Sequence, residues 1–344
     1  MWRLYSDYTR LLPGGPLAAA DAIAITIDLG GTQFRVAAVS QQGEMLARIA
    51  GRSQADAEPS VVIRDLIAAV TRVRHEVAGR AVLGLGIAAP GPIDESARVV
   101  LIAPNFPRWR DIPLADELER ATGLPAYLGN DANLAGLGEH RYGAGRGVRN
   151  MVYLTVSTGI GGGIIVENKL LLGERGAAGE AGHMQISFNG PPCSCGNRGC
   201  LEAYASGHGL ANQAREAIAG GTSTSLAEID GPVTAIHIAR AAEAGDPFAR
   251  DLVTGAGRAL GVGVRNLIHI FDPAIVVIGG GVSQMGPLLW NPMREVVQAE
   301  PYAAFQGSAR VEAAALKDDC GLAGAAVMVF EPEAAGMKPR VHAA

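Results

Sequence analysis

The chain has 344 residues, of which 46 are glycine, 48% are hydrophobic and 5% are aromatic. Glycine stands at nearly twice its average share of about 7%, without the three-residue period of collagen, and the apolar content is too high for a disordered chain. Lys and Arg number 29 against 34 Asp and Glu, a net charge of −5 with no basic run, so the charge gives no footprint for nucleic acid. No stretch of about 18 apolar residues occurs, so no membrane span is expected. Four cysteines in this length do not make a secreted disulfide scaffold. Pro13-Gly14-Gly15-Pro16 interrupts the early apolar patch, which argues against a signal peptide and leaves the cytoplasm as the expected compartment. The length suggests two domains.

Residues 1–20 read as a loose leader. Ile23 to Asp28 alternates as a strand does, reaches Leu29-Gly30-Gly31-Thr32, and continues as the strand Phe34–Val39. This is a hairpin with a glycine turn. Met45–Ile49 predicts a third strand. Val62, Leu66, Ala69, Val70 and Val73 have helical spacing within 59–77. A buried strand follows at 82–88, a short helix at 114–121, and a short strand at 125–128 before Asn130-Asp131. Then strand, glycine turn and strand recur: Met151–Val156, Ser157-Thr158-Gly159-Ile160-Gly161-Gly162-Gly163, and Ile164–Val166. Each half of the chain opens with the same device. Helices are expected over 203–218 and 233–270, a strand at 274–278 ending in Gly279-Gly280-Gly281, and a last helix at 321–330. Gly261 and Gly263, inside a helical region, predict close helix packing. Residues after Pro332 read as a tail.

Two familiar phosphate motifs fail. A Walker A loop needs Gly-Lys-Ser/Thr, and none of the three lysines (Lys169, Lys317, Lys338) follows a glycine. A Rossmann fingerprint joins a strand to a helix, whereas both glycine loops here join two strands. What remains is a hairpin turn whose backbone N–H groups can cradle phosphate oxygens. Asp28, at the strand end, is placed to hold a hydrated Mg2+.

His183, Cys193, Cys195 and Cys200 form a Cys3His set. Such a set suits a closed tetrahedral zinc with no open position for water, so a structural zinc is expected. The fourth thiol, Cys320, lies apart and is expected in the core. His75, His140, His208, His237 and His269 fit no motif and are expected to be surface or satisfied polar groups.

Five strings together carry a resemblance: Asp28-Leu-Gly-Gly-Thr32, Gly129-Asn-Asp-Ala-Asn133, Gly159-Ile-Gly-Gly-Gly163, Glu180-Ala-Gly-His183, and Cys193-x-Cys195-Gly196-x-x-Gly199-Cys200-x-Glu202. The chain resembles the ROK family of bacterial sugar kinases, sugar-responsive repressors and uncharacterised reading frames, over about residues 23–330. The resemblance implies the α/β two-domain actin-like ATPase fold, a duplicated ribonuclease H-like architecture with ATP in the interdomain cleft. It sets a small N-terminal α/β domain at 21–129 and a large C-terminal domain at 130–316 with a zinc loop at 183–200. A helix at about 317–331 packs back on the first domain, and 332–344 is the tail.

By the same resemblance Asp131 is the general base, accepting the proton of the sugar's primary hydroxyl as that oxygen attacks the γ-phosphorus. Asn105, Asn130, Glu180, His183 and Glu202, with Asp131, bind the sugar. His183 gives one ring nitrogen to zinc and the other to sugar. Gly30, Gly31 and Thr32 resemble the first phosphate loop; Thr158, Gly159 and Gly161 the second; Gly279, Gly280 and Gly281 the adenosine loop. The implied activity is ATP-dependent phosphorylation of a hexose 6-hydroxyl, glucose being the expected acceptor, with ATP, Mg2+ and structural zinc. N-acetylmannosamine and N-acetylglucosamine are the alternatives, since Ser157-Thr158 and Ser206-Gly207 also look like the N-acetylmannosamine kinases. A sugar-responsive repressor is a weaker alternative, because the roughly 20 residues before the first hairpin do not suit a DNA-binding domain. The expected partners are sugar and ATP, in a homodimer or homotetramer, with no nucleic acid or membrane.

Overall fold

The computed structural model describes residues 21–94 and 98–337. The expected leader, 1–20, and the end of the expected tail lie outside the described residues. The chain divides into two compact units: one runs up to Leu134 and resumes at Gly321, and the other is Ala135–Cys320.

The first unit is built on a five-stranded sheet of order β3-β2-β1-β4-β8. Its strands are β1 (Ile23–Leu29), β2 (Gln33–Ser40), β3 (Met45–Arg52), β4 (Val82–Ala89) and β8 (Ala126–Asn130). β1 pairs antiparallel with β2, Ile25 facing Ala38, and parallel with β4, Ile25 facing Leu85. A strand flanked on both sides and covered on both faces should read as a continuous apolar run, and six of the seven β1 residues are buried. Helix α1 (Pro59–Glu76) lays Val62, Leu66, Ala69, Val70 and Val73 on one face of this sheet, the residues its spacing picks out. Burying each of the valines and the leucine contributes about 1.5–3 kcal/mol. A three-stranded sheet of β5 (Ile93–Asp94), β6 (Val99–Ile102) and β7 (Arg110–Ile112) follows, which the sequence did not suggest because its strands are too short to show a period. Helix α2 (Leu114–Thr122) precedes β8, and α3 (Asp131–Tyr142) follows it directly.

The second unit repeats the plan with order β11-β10-β9-β12-β13, from β9 (Met151–Val156), β10 (Ile160–Val166), β11 (Lys169–Leu170), β12 (Ile275–Gly279) and β13 (Arg310–Ala313). Again the hairpin is antiparallel and the central strand continues into parallel neighbours. The two glycine turns therefore occupy equivalent places in two copies of one topology.

Two expected helices are each broken in two. Residues 203–218 resolve into α4 (Leu201–Ala205) and α5 (Gly207–Ala219), because Ser206 turns its hydroxyl onto the Gly209 N–H at 2.9 Å and starts a new helix. Residues 233–270 resolve into α6 (Ala235–Glu243) and α7 (Pro247–Phe271). Gly245 adopts φ +96°, Asp246 accepts the Ala249 N–H at 3.0 Å, and Pro247 opens the second helix. Helix α8 (Pro287–Gln298) carries Pro292 in its interior, which disfavours a helix in isolation. Tertiary packing overrides that cost: a Cβ on Gly257 would stand 2.3 Å from Leu289 O, and one on Gly261 would stand 2.6 Å from Val296 Cβ. Gly261 is thus a close-packing glycine, as its position predicts, and Gly263 packs in the same way on Leu201.

Helix α9 (Cys320–Phe330) returns to the first unit, where Leu322, Ala326 and Val329 pack on Ala24, Ala37 and Val39. Cys320 is half-buried rather than fully in the core, its sulfur 3.8 Å from the Tyr153 hydroxyl. The expected tail is not wholly free, since Ala335 is buried. Among the described residues no helix is long and apolar enough to cross a membrane.

Candidate functional site

In the first unit the glycine turn Gly30–Thr32 links β1 to β2. Its backbone is held from the residue that follows β3: the Ser53 hydroxyl donates to Gly30 O at 2.5 Å, and the Ser53 N–H donates to Thr32 O at 3.2 Å. Asn105 lies against this turn, so that a Cβ on Gly31 would stand 2.6 Å from Asn105 Cβ. Asp28, one residue before the end of β1, is paired with Arg35 at 2.9 Å. A carboxylate has about four lone-pair sites, so this pairing still suits Asp28 to accept hydrogen bonds from the waters of a hydrated Mg2+.

Asn130 ends β8 and caps α3. Its Oδ1 accepts from the Ala132 and Asn133 N–H groups at 3.0 and 3.1 Å, and its Nδ2 donates to Gly91 O at 3.0 Å. The side chain is therefore locked from both ends. Asp131 is the first residue of α3, its Oδ1 accepting from the Ala132 N–H at 2.8 Å. That placement aims the carboxylate from the positive end of a helix dipole, where negative charge is stabilised.

In the second unit, Ser157 to Gly159 make the turn between β9 and β10. The first N–H groups of α5 grip this turn: Gly207 N–H donates to Ser157 O at 2.7 Å and His208 N–H to Thr158 O at 3.0 Å. Glu202, on α4, reaches the same turn, its Oε2 accepting the Ile160 N–H at 2.9 Å. Its other oxygen, Oε1, accepts from the Ser194 hydroxyl at 3.1 Å and faces Cys193 Sγ at 3.8 Å. Glu180 precedes the 3-10 turn Ala181–His183 and is exposed. The three-residue spacing to His183 falls on a 3-10 turn, where i and i+3 eclipse.

His183 Nδ1 stands 3.6 Å from Cys193 Sγ, and Cys195 Sγ stands 3.8 Å from Cys200 Sγ. All four donor atoms lie within 4.8 Å of one another. Thiolates at about 2.3 Å from a tetrahedral Zn2+ are about 3.8 Å apart, so this donor set fits one such ion. Burial pushes the Cys200 thiol up to about 12, whereas a backbone hydrogen bond from Asn197 lowers Cys195. With Nδ1 facing the sulfurs, Nε2 is the ring nitrogen left for another partner.

A cavity of about 800 Å3 lies beside the second glycine turn, lined by Thr158, His208, Ala211, Val233, Gly281 and Gln284 among others. The structure thus brings together Thr158 and Gly281, which the sequence set 123 positions apart. Gly280 adopts φ +86°, and a Cβ there would stand 2.4 Å from Val156 O; this close approach admits only glycine. His208, which fits no sequence motif, is on the cavity wall. The other histidines have ordinary explanations: His140 bonds Val148 O at 2.8 Å, His237 accepts the Thr234 N–H at the start of α6, His269 meets Glu300 at 2.9 Å, and His75 is exposed. The helix residues lining the cavity, such as Ala211 and Val233, went unnoticed because their sequence signal is only ordinary amphipathic spacing. Ser53 left no sequence signal at all.

The family model of the ROK family matches residues 24–331. The chain belongs to the ROK family. A glucokinase of Thermotoga maritima is 40% identical over 310 residues, which span 89% of this chain and 97% of the relative. The crystal structure of a ROK hexokinase from Thermus thermophilus matches with TM-score 0.78 and 35% identity, covering 90% of this chain and 99% of that one. A ROK family glucokinase from Streptomyces griseus, solved with glucose and AMPPNP, matches with TM-score 0.73 and 36% identity, covering 89% and 98%. The fold is accordingly the two-domain actin-like ATPase fold of ROK sugar kinases, and the repeated sheet order is its internal duplication.

Proposed function

We propose that this chain transfers the γ-phosphoryl group of ATP to the 6-hydroxyl of glucose, giving glucose 6-phosphate and ADP. The observation that carries the reading is the relationship, along nine-tenths of the chain, to glucokinases that include one crystallised with glucose and AMPPNP. Asp131 is the general base. Its carboxylate accepts the hydroxyl proton as the sugar oxygen forms its bond to the γ-phosphorus, while the bridging P–O bond breaks and its electron pair leaves on ADP. Phosphoryl transfer asks mainly for positioning and charge control. The locked side chain of Asn130 supplies rigidity beside the base.

Asn105, Asn130, Glu180, His183 and Glu202 bind the sugar hydroxyls. Glu202 keeps lone pairs for a sugar hydroxyl while Ile160 holds its other oxygen. Gly30, Gly31 and Thr32 form the first phosphate loop, and Thr158, Gly159 and Gly161 the second. The cavity beside Thr158 and Gly281 takes the adenosine. Mg2+, when bound near Asp28, neutralises phosphate charge. His183, Cys193, Cys195 and Cys200 hold a structural zinc, a reading supported by the donor set and its spacing. Held by a bound ion at Nδ1, the His183 ring would keep Nε2 oriented toward a sugar hydroxyl.

An enzyme-coupled assay of ADP formation tests the proposal, with ATP and glucose, mannose, N-acetylmannosamine or N-acetylglucosamine in turn. Turnover is expected to be fastest with glucose. Absence of turnover with all four sugars would overturn the kinase reading, and a higher kcat/KM for an N-acetyl sugar would overturn the choice of glucose.

A further inference from the structure

A second cleft, within the first unit, takes no part in the roles above. It is an open cleft between β3 and α1 with a volume of about 600 Å3. That is the size of a small-molecule site, for which about 300–1,000 Å3 is usual. Asp65, Ala68, Ala69 and Arg72 line one wall because positions i, i+3, i+4 and i+7 share one helix face. Phe34 and Ile49 form an apolar floor. Arg52 and Gln54 also line it, Gln54 in the left-handed region at φ 45°.

The charges in this cleft are unequal. Among the described residues neither Arg52 nor Arg72 has an ion pair or hydrogen bond from its guanidinium, and both residues are exposed. Asp65 is already engaged, by Gln54 Nε2 at 2.6 Å and by Arg64 at 3.0 Å. Two uncompensated guanidiniums suit a phosphate monoester dianion, which arginine binds with its planar fork. The remaining lone pairs of Asp65 and the Gln54 amide suit hydroxyl groups. The apolar floor suits the C–H face of a small ring.

The cleft has a direct mechanical link to the first glycine turn. Ser53 stands between Arg52 and Gln54, is buried, and carries both hydrogen bonds to Gly30 O and Thr32 O. Phe34, on the floor, is two residues past Thr32. Any ligand that pulls on Arg52 or Gln54 acts on the residue that shapes the turn.

We propose that this cleft is an effector site for a sugar phosphate, whose binding is transmitted to the first glycine turn through Ser53. The binding stands by itself; the kinetic consequence rests on the kinase reading. The test is calorimetric titration of the full chain with glucose 6-phosphate, inorganic phosphate and glucose. Each titration is run with and without saturating glucose and AMPPNP to fill the catalytic site. Glucose 6-phosphate is expected to bind once per chain with both present, and more tightly than inorganic phosphate. Arg52→Ala with Arg72→Ala is expected to weaken it at least about tenfold while leaving the melting temperature and the effector-free rate unchanged. In the wild type, glucose 6-phosphate is expected to change the KM for ATP by about threefold or more. Ser53→Ala should keep the binding and lose that response, a split that a merely structural serine would not produce.

Binding that disappears when glucose and AMPPNP are present, or that survives the double variant, overturns the site. Equal binding of inorganic phosphate overturns the ligand class. Binding without any kinetic response overturns the transmission. If no sugar is phosphorylated, the kinase reading falls, while the double variant still decides the cleft.

Discussion

Glu202 joins the cysteine loop to the second glycine turn through one carboxylate. Oε2 accepts the Ile160 N–H at 2.9 Å, while Oε1 accepts the Ser194 hydroxyl at 3.1 Å beside Cys193. The residues concerned are 42 apart in sequence for the first bond and 8 for the second. A buried backbone donor left without its acceptor costs about 1–3 kcal/mol. Glu202→Ala is therefore expected to lower stability by that amount and to raise KM for both glucose and ATP. Glu202→Gln, which keeps an acceptor for Ile160, should lose less stability. Chemical denaturation and initial-rate kinetics read both effects. Equal stability loss in the two variants would contradict the bridging role.

Asp131→Asn keeps an oxygen for the Ala132 N–H but cannot take a proton. Glucose affinity by calorimetry should stay within a few-fold of wild type, while kcat falls about 10²- to 10⁴-fold. A retained kcat would remove Asp131 from the role of base.

The Cys3His set should carry one zinc per chain by elemental analysis. Cys200→Ser should lose the metal and lower Tm by about 5 °C or more. Metal-free wild-type protein with an unchanged melting curve would show that the loop stands without zinc.

Asp246 couples the start of α7 to the segment before α6. Its carboxylate accepts from Ala249 N–H, Ser225 N–H, Ser225 Oγ and Thr224 Oγ1. Burial pushes this carboxyl up, but the hydrogen bonds from Ala249 and Ser225 outweigh it and hold it well below the usual carboxylate range. A group whose folded value is depressed stabilises fully above its unfolded value of about 3.9 and loses that contribution as pH falls through the folded one. Asp246→Ala should therefore cost about 1–2 kcal/mol at pH 7, the same at pH 6 and 8, and progressively less below about pH 4. Urea denaturation across that range measures it, and a penalty that grows on acidification would reverse the sign.

The cavity beside Thr158 should be the adenosine site. Ala211 is on its wall and nearly buried, so Ala211→Phe fills it. KM for ATP should rise about tenfold or more with glucose binding retained. An unchanged KM for ATP would move the nucleotide elsewhere.

Much of this was legible along the chain. The α1 face, both glycine hairpins and the Cys3His string rest on local patterns: helical spacing, alternation and turn chemistry within a few residues. The errors are equally local in origin. Ser206 and the Gly245–Pro247 break lie inside runs whose apolar spacing continues on either side. Helix α8, with Pro292 in its interior, was not among the expected elements, and it is packed on α7 at Gly257 and Gly261.

By itself, the sequence determined the two glycine hairpins, the buried face of α1, the last helix, which residues can hold a metal and which carboxylate follows β8. Only the tertiary structure decided that Glu202 grips the second glycine turn, that Ser53 grips the first, and that Thr158 and Gly281 share one cavity. The physical reason is range. Periodicity and turn chemistry are set by neighbours in the chain, whereas hydrogen bonds and cavities are set by neighbours in space, and no spacing rule connects position 53 to 30 or 202 to 160.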